Sequence, residues 1–192
     1  MTVAENELHA LLDKQAIQEV LARYVRAVDR CDEALLLSVF HPDAIDHHVG
    51  HRNTAQEFCT WALDLVRQMG PVAHYLSAPL IELDGDVAWS ECYAIAFHRI
   101  ERDGVAFDNF LGARVLDRFE RRDGAWRIAW RRVVYDWNRD VAPAETWGRG
   151  VFPGFGAEGR KDRCDPLYEF LGERARLERR GSRADNEPES LA

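Results

Sequence analysis

The sequence predicts an α+β fold in which N-terminal helices are followed by a mostly antiparallel sheet. Three observations predict it. Apolar residues recur at three- and four-residue spacing as far as Met69. From His74 onward the period changes to alternation broken by Asp-Gly turns. Helices and strands are thus segregated along the chain, which argues against a doubly wound β-α-β fold, and there is no G-x-G-x-x-G or phosphate loop.

The elements follow in order. Ala16, Ile17, Val20, Leu21, Tyr24, Val25 and Val28 form the apolar stripe of a first helix. On a wheel of about 100° per residue, Asp29 falls about 40° from Val25, at the edge of that stripe and at the helix end. Asp32 caps a short second helix, Glu33 to Phe40, which His41-Pro42 ends. Ala44 to Val49 reads as a strand and Gly50 as a turn. Asn53 or Thr54 caps a third helix that runs to about Met69 and stops at Gly70-Pro71. His74 to Leu83 is extended, and Asp84-Gly85-Asp86 turns it into a long strand, Val87 to Ile100. Strands Phe107 to Arg121 and Trp126 to Trp137 follow, separated by Arg102-Asp103-Gly104 and Arg122-Asp123-Gly124.

The 192 residues suit one domain with an appendage, and 46% hydrophobic residues provide a core for it. Residues 1–140 are expected to form the domain. Residues 141–171, with the Gly- and aromatic-rich run Trp147 to Gly156, are expected to pack on the body or on a neighbouring subunit. Residues 172–192 are polar and charged and are expected to be disordered. A net charge of −8 argues against nucleic acid as a partner. The Arg-rich stretch from Arg114 to Arg132 alternates with apolar residues, as a solvated sheet edge would. Cys31, Cys59, Cys92 and Cys164 include no Cys-x-x-Cys pair and read as free thiols. With a polar start and no membrane-length apolar run, a cytoplasmic location is expected, with no membrane partner.

Tyr24 to Asp29, Phe40-His41-Pro42-Asp43-Ala44, Glu82 to Ala88 and Arg122 to Arg132 together carry a family resemblance. Over about residues 5 to 140 the chain resembles the SnoaL-like group of the nuclear-transport-factor-2-like superfamily, whose fold is a cone-shaped α+β barrel. Its pattern is similar to the branch containing scytalone dehydratase, hexachlorocyclohexane dehydrochlorinase and bile acid 7α-dehydratase. The resemblance implies that Asp29 and His74 form a catalytic pair and that Arg131 lines the cavity and stabilises developing charge. It also implies that Tyr24 is a cavity residue and that His98 is the counterpart of a second active-site histidine. His48 stands where the scytalone enzyme has a tyrosine that handles the substrate carbonyl, a departure from that enzyme's pattern, and with Tyr24 and His98 it is expected to contact substrate as a polar group in the cavity.

The residues leave alternatives beside these roles. Asp29 could simply terminate a helix. His74, in Pro71-Val72-Ala73-His74-Tyr75, could be a hydrogen-bonded core histidine. Trp126, Ile128, Trp130 and Val134 share one face of the last strand and look like core, which would send Arg131 outward. The resemblance instead turns Arg131 into the concave cavity and buries the opposite face between subunits. His41, Asp43, Asp46, His47, His48 and His51 form a dense cluster whose spacing fits no compact metal-ligand set, so no metal is expected there.

The function expected is a cofactor-independent lyase for a hydrophobic cyclic or aromatic small molecule. It would use His74 as base and Asp29 to orient it, and would eliminate water or halide or release formaldehyde. An isomerase using the same pair is an alternative. So is a non-catalytic binding module, or a partner like the β subunits of ring-hydroxylating dioxygenases. A homo-oligomer is expected, a trimer ahead of a dimer.

Overall fold

The computed structural model describes residues 3–145 and 156–172. The chain divides into two compact units, Met1–Glu145 and Thr146–Ala192. The run expected to wrap the body lies mostly outside the described residues, as does most of the tail expected to be disordered.

The first unit is α+β. It comprises α1 (Val3–Asp29), α2 (Glu33–Ser38), β1 (Phe40–His48), β2 (His51–Thr54), α3 (Ala55–Gln68), β3 (Val72–Leu76), β4 (Leu80–Asp84), β5 (Val87–Arg102), β6 (Val105–Arg122) and β7 (Ala125–Val141). One sheet in the order β2-β1-β7-β6-β5-β3 carries the fold, with β4 beside β3 on the same edge of β5. Every pair is antiparallel except β1–β7. The sheet is curved and mixed, and it does not close into a full barrel. The helices cover its concave side through a core that includes Ile17, Leu21, Leu36, Phe58, Leu63 and Ile128.

Local chemistry sets the element ends. Helix α1 stops in a Schellman arrangement: Asp32 N–H donates to Ala27 C=O, Cys31 N–H donates to Val28 C=O, and Cys31 sits at φ 51°. Helix α3 starts at Thr54 in a reciprocal capping box with Glu57. Asp103-Gly104 and Asp123-Gly124 both take positive φ, as type I′ hairpin turns require.

Several expectations are corrected. Helix α1 begins far earlier than its apolar stripe, and Asp13 on the added turns holds Arg121 and the Trp126 indole. Helix α2 ends at Ser38, and His41-Pro42 lies inside β1 rather than stopping a helix. Pro42 is tolerated because the β1–β7 ladder is broken between Phe40 and Ile45, so no N–H is needed there. His51–Thr54 is a strand, and the single extended run expected from His74 to Leu83 is two strands. The Arg-rich stretch is not an edge: β6 and β7 are interior strands. Arg114 pairs with Asp136 and Glu91, Arg121 with Asp86, and Arg122 with Asp43 and Glu120.

In the second unit, residues 166–172 form a short helix α4. Asp165 starts it, accepting from the Leu167 and Arg160 N–H groups. None of the helices among the described residues is long and apolar enough to cross a membrane.

Candidate active site

A cavity of about 510 Å³ opens between the helices and the concave face of the sheet. Its wall is mostly apolar, with Val28, Trp61, Leu65, Ala96, Leu111 and Val115 among the contributors. Its polar groups are few: Tyr24, His48, His74, His98, Asn109 and Tyr135. An apolar pocket of this size with a handful of convergent polar groups suits a small organic ligand.

Asp29 is the last residue of α1, where the helix dipole disfavours a carboxylate. Two bonds to one residue offset that cost. The His74 ring Nδ1 lies 2.6 Å from Asp29 Oδ1, and the His74 backbone N–H donates to Oδ2 at 3.2 Å. A carboxylate at Nδ1 fixes the tautomer with the proton on Nδ1 and leaves the Nε2 lone pair for the cavity. Both side chains are mostly covered, at 21% and 13% exposure, so the pair is shielded yet reachable.

His98 stands beside it. Residue 98 is two positions along β5 from Ala96, the Cα partner of His74, so both rings share the concave face. Their Nε2 atoms are 3.4 Å apart and the rings meet edge to face. Burial, and then the proximity of His74, pushes the His98 imidazole down to about 4, while a hydrogen bond with Asn109 opposes this. His98 is therefore neutral near pH 7.

Arg131 is buried on the concave side, but it is not part of the cavity wall. Its guanidinium donates twice to Asp117, at 2.7 Å each, and lies 3.9 Å from the centre of the Tyr24 ring. The expectation that Arg131 lines the cavity is corrected: Tyr24 takes that place, and Asp117 already neutralises the cation. Burial pushes the Asp117 carboxyl up, against the pull of Arg131. Burial also raises the Tyr24 phenol, which stays protonated at neutral pH.

A β-bulge reconciles the two readings of the last strand. Phe119 pairs with Ile128 but Arg118 pairs with Trp130, so Ala129 is an extra residue and the alternation slips by one. Trp126 and Ile128 face the core before the bulge, while Arg131 faces inward after it and Trp130 faces out.

The histidine-rich cluster disperses. His41 bonds the Glu120 carbonyl, His47 packs on Trp130 at 5.5 Å, and His51 is exposed on β2. His48 faces the cavity, with Nδ1 2.6 Å from Asp46 Oδ1. No group of three or more His, Cys, Asp and Glu among the described residues is arranged to hold a metal. Reading the residues in isolation missed Asp46 as a partner of His48, although i and i+2 on a strand share a face. Asp117 and Asn109 were missed because only strand register brings them to Arg131 and His98.

The comparisons with known proteins agree with this architecture. The chain matches no curated protein sequence. A structure of a type 2 hexachlorocyclohexane dehydrochlorinase superposes with a TM-score of 0.66 at 19% identity, covering 78% of this chain and 99% of that one. A putative scytalone dehydratase from Novosphingobium aromaticivorans gives 0.61 at 19%, covering 78% and 97%. A type 3 dehydrochlorinase from Novosphingobium barchaimii gives 0.65 at 18%, covering 73% and 98%. At these identities the likeness establishes the fold. The family model for the SnoaL-like domain matches residues 9–132, and the chain accordingly belongs to the SnoaL-like family.

Proposed function

We propose that the protein is a cofactor-independent lyase acting on a hydrophobic cyclic or aromatic small molecule. The observation that carries this reading is the Asp29–His74 bond on the wall of an apolar cavity. In the reaction, His74 Nε2 takes a proton from a substrate carbon. The C–H electron pair becomes a new double bond, and the group on the neighbouring carbon departs with its own bonding pair, as halide, or as water when the hydroxyl takes up the proton that His74 had accepted. Asp29 holds the Nδ1 proton and stabilises the imidazolium. In a retro-aldol variant the proton comes from a hydroxyl, whose O–H electron pair becomes the carbonyl of the departing formaldehyde, while the C–C bonding pair stays on the remaining carbon and takes the proton back from His74. An isomerase would return the proton to another carbon. Proton transfer of this kind contributes about 10²–10⁴-fold.

Support also comes from the neighbours: one is named for dehydrochlorination and another for dehydration, and both share this fold. Tyr24, held against Arg131, offers a neutral hydroxyl group at the cavity wall, and Arg131 acts through that ring as a positioning residue. The protein is further proposed to be cytoplasmic and homo-oligomeric, a trimer, with no nucleic-acid or membrane partner. Burial pushes the Cys59 and Cys92 thiols up to about 12 and about 11, so neither is reactive.

The test is a panel of aromatic diols, alkyl and aryl halides and hydroxysteroids, assayed for water, halide or aldehyde release. Turnover by the wild type that is lost in His74→Ala supports the lyase. Tight binding without turnover across the panel would instead identify a binding module.

A further inference from the structure

The cavity contains a second Asp–His pair that the proposed chemistry does not use. His48 Nδ1 lies 2.6 Å from Asp46 Oδ1, the same bond that joins His74 to Asp29. Asp46 is fully buried and His48 is 14% exposed in its side chain. Asp46 therefore accepts a hydrogen bond from the Nδ1–H and leaves the Nε2 lone pair for the cavity that His48 lines. That nitrogen has no hydrogen-bond partner among the described residues. The ring is held flat on Phe58 at 4.7 Å and flanked by Trp61 at 6.3 Å, so its direction is fixed.

What lies behind Asp46 shows that the pair is not a casual core contact. Asp46 is the Cα partner of Arg131 across the β1–β7 ladder, and Arg131 is bonded to Asp117. Two carboxylates face one guanidinium in a site closed to solvent. Asp46 Oδ2 and Arg131 Nη1 both remain buried without a hydrogen-bond partner among the described residues. Burying a carboxylate in this way is costly. Among the described residues, its side-chain hydrogen bond goes to a ring that offers a nitrogen to the cavity.

Position separates this pole from the first. His48 is on β1 and His74 on β3, with β7, β6 and β5 between them. Four inter-strand steps of about 4.8 Å each therefore separate the two histidines along the curved sheet that walls the cavity. The sheet wall between them is mostly apolar, with Leu111, Ala113, Val115 and Val133 beside the polar Asn109 and Tyr135.

We propose that Asp46–His48 is a second recognition pole, and that the ligand is an apolar, multi-ring molecule with an oxygen-bearing group at each end. One end meets His74 and the other donates to His48 Nε2. This inference rests on the reading of the cavity as the ligand site and names the class of molecule that fills it.

Three probes test it: biphenyl, 4-hydroxybiphenyl and 4,4′-dihydroxybiphenyl, titrated into the full chain by calorimetry. The diol is expected to bind about tenfold more tightly than the mono-ol. His48→Gln keeps an amide donor for Asp46 but removes the distal ring nitrogen, and it should reduce the diol to the affinity of the mono-ol while biphenyl is unchanged. The double variant Asp46→Asn/His48→Phe, which leaves no buried carboxylate unpaired, should do the same and guards against misfolding of the first. Equal binding of diol and mono-ol, or a diol preference that survives both variants, overturns the second pole and leaves the lyase reading standing. Failure of all three probes to bind overturns the apolar-ligand reading and this inference with it.

Discussion

Asp29 gives both carboxylate oxygens to His74, Oδ1 to the ring Nδ1 and Oδ2 to the backbone N–H. The double attachment fixes the ring in two ways, because the strand that carries it is held by the same group that orients it. Asp29→Asn would keep the approximate shape but lose the charge that stabilises an imidazolium. His74→Ala removes the base. Each should lower turnover by about 10²–10⁴-fold while the urea midpoint moves little. Turnover within about threefold of wild type in both variants would sink the acid–base reading.

His98 makes stability depend on pH. Its folded-state value is lowered from 6.5 to about 4, chiefly by burial. Between those values the unfolded chain binds the proton and the folded protein does not. The stability is therefore complete above pH 6.5 and is lost as pH falls toward 4, by an amount on the order of 3 kcal/mol. Urea unfolding from pH 7 to 4 should show this slope, and His98→Asn should flatten it. An unchanged slope in that variant would mean that another group titrates.

Arg131 illustrates a different dependence. It is fully buried against Asp117 and the Tyr24 ring. Arg131→Met removes the guanidinium that faces two buried carboxylates, Asp117 and Asp46, and should cost about 3–5 kcal/mol in chemical denaturation. A double change, Arg131→Met with Asp117→Leu, should recover part of the loss, because it removes an uncompensated charge. No recovery would mean that packing, not charge, governs the site.

Helix faces and Asp-Gly turns were legible because they are local signals. Val20, Tyr24 and Val28 repeat at helical spacing, and Asp103-Gly104 can hardly be anything but a hairpin turn. The parallel β1–β7 pairing was not legible, since it joins residues more than eighty positions apart with no turn to announce it. Nor was the Ala129 bulge, which lets Ile128 and Arg131 face the same side and so made the alternation of β7 point the wrong way. The Asp29–His74 pair came from resemblance, because its residues lie 45 positions apart. Asp46–His48 was available from strand periodicity but was obscured by the surrounding histidines.

Val49 sits beside that second pair at φ 47°, followed by Gly50 at φ 78°. A β-branched residue is strained there, whereas Asn-Gly is the preferred type I′ dipeptide. Val49→Asn should raise stability by about 1 kcal/mol, read as a higher urea midpoint with unchanged slope. A loss of stability would show that the apolar contact of Val49 at the cavity mouth outweighs the backbone strain.

The outer face of the sheet carries Tyr75, Trp89, Tyr93, Ile95, Phe110 and Trp137, all exposed. Tyr75 and Ile95 are cross-strand partners. The Trp137 ring lies over Gly112 so closely that an added Cβ would fall 2.1 Å from it. Six such side chains at about half exposure amount to roughly 600 Å² of apolar surface, at the upper end of what a monomer leaves open. Wild-type protein should therefore run as a homo-oligomer, a trimer, in light scattering at micromolar concentration. Tyr93→Asp combined with Ile95→Lys places two charges where the partner would pack and should give a monomer with an unchanged far-ultraviolet spectrum. A monomeric wild type would mean that this face is left open to water and that the cavity works without a neighbouring subunit.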